Sequence, residues 1–277
     1  MIIKLIALDL DGTVLKTDKT ISNRNIRAVR SAVSQGIIVL PATGRMVKMV
    51  PGLFSPREGI RYAITSNGAS VLDLRDGTVL YSNLMTIEQS KRILRMLYSY
   101  GLLIEAYCDG VSYANRDVLD ELPDYHLPKS YYDLIMESQI FVDDLPGFLE
   151  RRNRPLEKIN LPYIPEEFRE ELEDRLGCMK EYSVTSSCAS NIEINTAAAS
   201  KGDGLLHLCK CLEISPSQVM AVGDSSNDIS LLEYAGFPVA MGNASEPVKR
   251  AAKFVTWDND NDGAAYAIEK FALSQRT

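Results

Sequence analysis

The chain has 277 residues, enough for about two domains. Hydrophobic residues make up 45% and charged residues 24%, so a large core can form without a disulfide or metal staple. The net charge of −7, with no Lys/Arg stripe, argues against a nucleic-acid partner, and no apolar run of about 18 residues is present to span a membrane.

In chain order, Ile2–Leu10 reads as a buried strand, and Ser22 as the N-cap of a helix that carries Ile26, Val29 and Val33 on one face and stops at Gly36. Gly36–Ala42 and Tyr62–Thr65 read as two further buried strands. Strands alternating with helices imply a parallel sheet, with Tyr62–Thr65 expected in it. The texture then changes. Thr86 opens a helix with Gln89 three residues on, the pattern of a capping box, and that helix ends at Gly101. Glu105–Tyr107 and Val111–Ala114 form an expected hairpin turning at Asp109-Gly110. Residues 116–154 give no clear period. Glu166–Leu176 reads as an amphipathic helix, and Met179–Thr185 with Asn191–Ile194 as another strand pair. The first rhythm returns with a helix over Lys201–Glu213, a strand over Gln218–Val222 and a helix over Asp228–Ala235. Strands over Phe237–Ala240 and Phe254–Trp257 and a helix over Gly263–Phe271 close the chain. The pattern predicts a doubly wound α/β core, residues 1–84 and 195–277, interrupted by an α+β module over residues 85–194.

Several chemistries are excluded. The five cysteines form no CxxC pair, and Cys209-x-Cys211 with only two histidines in the chain is a weak zinc pattern. The first residues are broken by Lys4 and Asp9, too short an apolar run for a secretory segment, so reduced thiols and a cytoplasmic location are expected. His126 and His207 are the two histidines, and no G-x-S-x-G elbow, phosphate-binding GK[ST] loop or intact dinucleotide fingerprint is present.

Aspartate is what remains, and it gathers where strands end. The first strand runs into Asp9-Leu10-Asp11-Gly12-Thr13, the second into Ala42-Thr43-Gly44-Arg45. A helix starts at Ser200-Lys201-Gly202, and a later strand ends in Gly223-Asp224-Ser225-Ser226-Asn227-Asp228. In an open parallel sheet these segments meet beyond the carboxyl ends of the strands. Carboxylates crowded there repel unless a cation neutralises them, and a hard oxygen donor set suits Mg²⁺. A lysine and backbone N–H groups beside that point can hold the oxygens of a phosphoryl dianion. Singly, each segment is no more than a turn or a cap; together and in order they are a phosphoryl-transfer inventory.

In these motifs the chain resembles the Cof-type phosphatases of the haloacid dehalogenase superfamily. The matching positions are Asp9, Asp11, Thr43, Lys201, Asp224, Asn227 and Asp228, and Thr65–Ala69 is similar to the segment that precedes the family's cap. Ala198-Ala199 and Ser225 depart from the common residues without removing a functional group. The resemblance implies Mg²⁺-dependent hydrolysis of small phosphomonoesters, sugar phosphates or similar metabolites, with the inserted module as a cap that excludes water and selects the ester. It implies Asp9 as nucleophile through an aspartyl-phosphate, and Asp11 as acid and then base, with a carboxyl raised from about 3.9 toward neutrality. The metal would be held by Asp9, the Asp11 backbone carbonyl and Asp224, with Asp228 orienting its waters; Thr43, Gly44, Lys201 and Asn227 would bind the phosphoryl group. A phosphotransferase or mutase using the same aspartyl-phosphate is the nearest alternative. A phospho-accepting signalling domain is the farther one, opposed by Asp11 and by the long insertion.

Four other features have plain readings. Arg45 reads as a structural or solvated ion pair before a substrate contact, and Asn67 equally as a turn residue or a phosphate neighbour. Asp258 through Glu269 fits a calcium-loop spacing, but a strand precedes it where a helix should enter, so Asp262 capping the last helix is the expected role. In the insertion, Tyr107, Asp109, Tyr113, Asn115 and Lys158 are candidates for substrate contact, but most of them read as ordinary surface residues before that.

Overall fold

The structure is a computed structural model that describes residues 2–117, 119–120, 129–187 and 190–274. In chain order, β1 (Leu5–Leu8), α1 (Asn23–Ser34) and β2 (Ile38–Pro41) come first, then β3 (Tyr62–Thr65), β4 (Ser70–Asp73) and β5 (Thr78–Ser82). The middle comprises α2 (Ile87–Tyr98), β6 (Glu105–Cys108), β7 (Val111–Asn115), α3 (Lys129–Ser138) and β8 (Gln139–Val142), followed by α4 (Leu145–Arg152), β9 (Lys158–Leu161), α5 (Glu166–Cys178), β10 (Tyr182–Thr185) and β11 (Ile192–Thr196). Last come α6 (Lys201–Cys211), β12 (Val219–Gly223), α7 (Ile229–Tyr234), β13 (Phe237–Ala240), α8 (Glu246–Ala251), β14 (Phe254–Val255) and α9 (Gly263–Ile268). The chain divides into two compact units: unit 1 is Met1–Arg45, Val50–Ser82 and Ser200–Thr277, and unit 2 is Met46–Met49 with Asn83–Ala199. A division after residue 194 would cut β11, whose Asn195 and Thr196 still pair with Ser183 and Tyr182 of β10.

Unit 1 is built on a five-stranded sheet in the order β14-β13-β12-β1-β2, parallel throughout. Every side chain of β1 is fully buried, as expected for an interior strand of such a sheet. The chain leaves β1 toward β2 on one side and later fills β12, β13 and β14 on the other, so the winding reverses between β1 and β12. That reversal opens a crevice at the carboxyl ends of these two strands. Ser22 caps α1 as the sequence predicts, its hydroxyl accepting from the Asn25 N–H at 3.0 Å.

One strand differs from expectation. Tyr62–Thr65 does not belong to the parallel sheet; it pairs along its whole length with β4 in a three-stranded antiparallel sheet, β3-β4-β5. A single parallel bridge, Ala42 to Ile64, sets it beside the end of β2. Its partner β4 is a mostly buried stretch of four residues, too short to show a period, and β5 beyond it is largely exposed and does not alternate.

Unit 2 holds a six-stranded sheet in the order β10-β11-β9-β6-β7-β8. The capping box at Thr86 and Gln89 forms, and the hairpin between β6 and β7 turns at Asp109 and Gly110, both at positive φ as a two-residue turn requires. Within the unreadable stretch lie α3, α4 and β8, the last running parallel to β7. On one face of the sheet Ala106, Ile159, Leu161, Ile192 and Ile194 share a core with Ile93 and Leu97 of α2, Leu149 of α4 and Leu172 of α5. Residues that alternate with these, Glu105, Lys158, Asn160 and Glu193, are buried as well. Tyr107, Tyr113, Asn115 and Lys158 are therefore interior residues of unit 2, against the surface reading of the sequence.

Candidate active site

The strand register assembles the site. Leu8 pairs with Val222 on one side and Pro41 on the other, so the residues that follow emerge at one edge. The Asp9 N–H donates to the Val222 carbonyl at 3.0 Å, and the Ala42 N–H to the Leu8 carbonyl at 2.8 Å. Asp9 after β1, Thr43 after β2, and Asp224 and Asp228 after β12 are thereby brought together with Lys201, the first residue of α6.

Lys201 is the centre of the cluster. Its ammonium donates to Asp9 Oδ1 at 2.7 Å and to Asp228 Oδ1 at 2.6 Å, and all three side chains are buried. The second oxygen of Asp228 accepts the N–H groups of Asp224 and Ser225 at 2.9 and 3.0 Å, which closes the turn after β12. Asp224 accepts from the Thr13 and Ser225 hydroxyls, each at 3.2 Å. Ligand oxygens of Asp9, Asp224 and Asp228 lie within 4.8 Å of one another.

Three carboxylates therefore face one ammonium. Burial and the charges of Asp228 and Asp224 push the Asp9 carboxyl well above the usual range, against the pull of Lys201. Burial and Asp228 push Asp224 up to about 7. Burial alone would lower the Lys201 ammonium, but Asp228 and Asp9 more than offset that and hold it charged. A set of buried hard oxygens carrying excess negative charge fits a divalent cation, which would neutralise what Lys201 leaves over.

Two glycines are demanded by close approach. A Cβ on Gly12 (φ +76°) would lie 2.4 Å from Asp224 Oδ2, and one on Gly68 (φ +89°) would lie 1.9 Å from the Ser200 carbonyl oxygen. The first lets the loop after β1 lie against Asp224; the second lets the turn after β3 pack on the start of α6.

Thr43 is buried; its hydroxyl accepts the Arg45 N–H at 3.1 Å, and Gly44 follows it in the same turn. Asn227 is buried, its amide donates to Asn67 Oδ1 at 3.2 Å, and its own Oδ1 has no protein partner. Asn67 serves a turn, at φ +58°, and the same turn sets its side chain against Asn227.

Asp11 corrects an expectation. Its carboxylate does not join the other three but takes a two-pronged grip from Arg45, Nε to Oδ2 and Nη2 to Oδ1, both 2.7 Å, and a third bond from Lys19 at 2.9 Å. Burial pushes its carboxyl up, yet the hydrogen bonds and charges of Arg45 and Lys19 outweigh it and hold the group far below the usual carboxylate range. The raised carboxyl expected there is instead held down by two cations. Arg45 forms the ion pair its plain reading foresaw, with Asp11. Lys19 was missed: it reaches Asp11 from a turn in which it adopts φ +66°, a conformation that a lysine does not advertise in sequence. His126 and Cys188 lie outside the described residues.

A model of the haloacid dehalogenase-like hydrolases matches residues 6–268. The chain is 33% identical to phosphatase YwpJ of Bacillus subtilis over 283 residues, covering 96% of this chain and 99% of that protein. It is 29% identical to the pyridoxal phosphate phosphatase YbhA of Escherichia coli, covering 97% and 98%. A solved haloacid dehalogenase-like hydrolase from B. subtilis superposes with a TM-score of 0.84 at 31% identity, covering 97% of this chain and all of that one. The chain belongs to the haloacid dehalogenase-like hydrolase family and is a phosphatase of that family, acting on small phosphorylated substrates. Hydrolases of this family generally use a divalent metal, in keeping with the acidic cluster of unit 1. Among the described residues no helix is long and apolar enough to cross a membrane.

Proposed function

We propose that the protein hydrolyses small phosphomonoesters, sugar phosphates or similar metabolites, with Mg²⁺ and through a phosphoryl group carried on Asp9. The observation that carries this reading is Lys201 bonded to both Asp9 and Asp228 beside Asp224, at the carboxyl ends of adjacent parallel strands. Mg²⁺, held by Asp9, Asp224 and Asp228 with the Asp11 backbone carbonyl, would supply positive charge for the phosphoryl oxygens.

The chain's own residues do the rest. Lys201 grips Asp9 Oδ1 and so fixes the carboxylate with its other oxygen as the attacking atom. Attack on phosphorus forms an acyl phosphate and releases the alcohol; water then attacks the same phosphorus and restores Asp9. Lys201, the Thr43 hydroxyl, the Gly44 turn and the Asn227 amide stabilise the phosphoryl charge between the two steps. Asp11 protonates the leaving oxygen, then takes a proton from the water. Acting as the acid requires release from Arg45 and Lys19, and the phosphate of an arriving ester is an anion that both can bind instead. In this reading unit 2 selects among esters, and the reaction runs in a reducing cytoplasm, in keeping with free thiols at Cys108, Cys178, Cys209 and Cys211.

The test is phosphate release from a panel of phosphorylated sugars, nucleotides, amino acids and vitamins, pyridoxal phosphate included because the E. coli relative is named for it. Turnover present with Mg²⁺ and lost both with EDTA and in Asp9→Asn is the expected result. Phosphate release that survives in Asp9→Asn overturns the covalent route. No release from any ester, with transfer to a second alcohol instead, makes the protein a phosphotransferase.

A further inference from the structure

The stretch Asp258–Gly263 has the spacing of a calcium loop but is used otherwise. Asp258 Oδ1 accepts the Asn261 N–H at 2.9 Å, and the Asn261 amide reaches both oxygens of the same carboxylate. Asp262 stands at the start of α9 but at φ +62°, and its side chain makes no capping bond, so the capping role expected of it is not realised. The next two side chains reach far along the chain. The buried Asn259 donates to the Leu15 carbonyl at 3.0 Å, and Asp260 accepts the Thr17 N–H and hydroxyl at 2.9 and 2.8 Å. Asn243 completes a row: its amide donates to the Gly12 carbonyl at 2.9 Å, and its Oδ1 accepts the Asn259 N–H at 3.1 Å.

Three side chains from the C-terminal part of unit 1 thus hold one loop near the N-terminus at Gly12, Leu15 and Thr17. That loop begins at Asp11 and contains Lys19, which bonds back to it. Its tip is stitched by Lys16 to Thr20 and Lys19 to Lys16 backbone bonds. A segment of this length in a single conformation loses about 1–2 kcal/mol of backbone entropy per residue, so fixed points are needed to keep it in one place. Backbone bonds from Thr13 and Leu15 to the Leu10 carbonyl and the buried Val14 and Leu15 hold the first turn of the loop, and Asn243, Asn259 and Asp260 add fixed points from outside it.

We propose that Asn243, Asn259 and Asp260 are positioning residues for proton transfer: they fix the loop that carries Asp11 and thereby place its carboxyl for the leaving oxygen. This rests on Asp11 as the acid in the proposed function. An ester whose alcohol departs as a stable anion has little need of that proton, whereas an alkyl ester depends on it. Misplacement by about 1 Å at a distance from the chemistry is enough to slow a reaction by about a hundredfold.

The experiment compares kcat/KM for p-nitrophenyl phosphate and for a simple alkyl phosphate, in the full chain with Mg²⁺, for wild type, Asp260→Ala, Asn259→Ala and Thr17→Val. This ratio reports steps up to departure of the alcohol, so the later attack of water does not mask the effect. Expected is a loss of about tenfold on the alkyl ester with p-nitrophenyl phosphate held within about twofold. Thr17→Val added to Asp260→Ala should then cost nothing more, since both remove the same bond. Asp260 and Thr17 meet at the surface, so that pair tests the idea even where Asn259→Ala unfolds. Equal loss on both esters, or no loss on either, overturns the positioning role while leaving the phosphatase reading intact. Wild type that releases phosphate neither from these two esters nor from any ester of the wider panel overturns both.

Discussion

The molecule buries charge in two places, and they solve the problem in different ways. In unit 2, Lys158 meets Glu193 at 2.8 Å, while Glu105 accepts from the amides of Asn160 at 2.7 Å and Gln139 at 3.0 Å. One ammonium faces two carboxylates there, and neutral amide donors satisfy the surplus. In unit 1, one ammonium faces three carboxylates, two of them pushed upward, and Asp224 accepts from two hydroxyls at 3.2 Å and from the Asn243 amide at 3.4 Å. Both clusters carry surplus negative charge that pushes a carboxyl up to about 7, but among the described residues only the unit 1 cluster sets three carboxylates within 4.8 Å of one another, an arrangement that fits a further cation. Buried charge by itself therefore says little about function, whereas buried carboxylates converging on one point say a great deal.

The largest effect that sharpens this contrast is on turnover. Asp9→Asn removes the nucleophile and is expected to lower phosphate release by at least 10³-fold. Asp224→Asn should cost at least about 10²-fold yet raise the melting temperature in EDTA, because it deletes a repelling carboxylate. In unit 2 the same kind of change should do the reverse. Lys158→Met leaves Glu193 buried and unpaired, a loss of about 3–5 kcal/mol in urea unfolding, largely restored when Glu193→Leu is added. A divalent cation should stabilise the wild type by about 2.7 kcal/mol at a hundred times its Kd, read as a rise in melting temperature that Asp224→Asn abolishes. The last effect is a pH dependence. Burial pushes Glu105 up to about 7, so the folded protein binds its proton more tightly than the unfolded chain does. Its contribution is fully present below about 4.5 and is lost as pH rises through about 7, on the order of 3 kcal/mol, and Glu105→Gln should flatten that part of the stability profile.

The active site was far more legible in sequence than the cluster in unit 2. Asp9, Thr43, Lys201, Asp224 and Asp228 each follow a strand or begin a helix, and local pattern finds such ends well. Ser22 and Thr86 were legible for the same reason, since a cap is a short-range bond. Lys158 and Glu193 are 35 residues apart and become partners only through the register of β9 and β11. The charge state of Asp11 was hidden likewise, because it depends on Lys19 in a left-handed turn and on the guanidinium of Arg45 arriving from the next strand. The hairpin β4–β5 escaped because β4 is too short to show a period and the exposed β5 does not alternate, and Tyr62–Thr65 took the wrong sheet for lack of that partner. Asp260 and Thr17, 243 residues apart, are tied by bonds that no spacing rule could pair.

The pairing of β1 with β12 also sets an order of events on the ribosome. Leu5 aligns with Val219, so one edge of the central strand waits for 214 further residues, about 10–40 s of synthesis. Unit 2 makes all its strand pairs between Glu105 and Thr196 and can close while that edge is still open. Through that interval β1 and β2 present an apolar, unpaired border to other chains. Slower synthesis or a scarcity of chaperones should therefore reduce the yield of active protein before it affects the stability of what has folded.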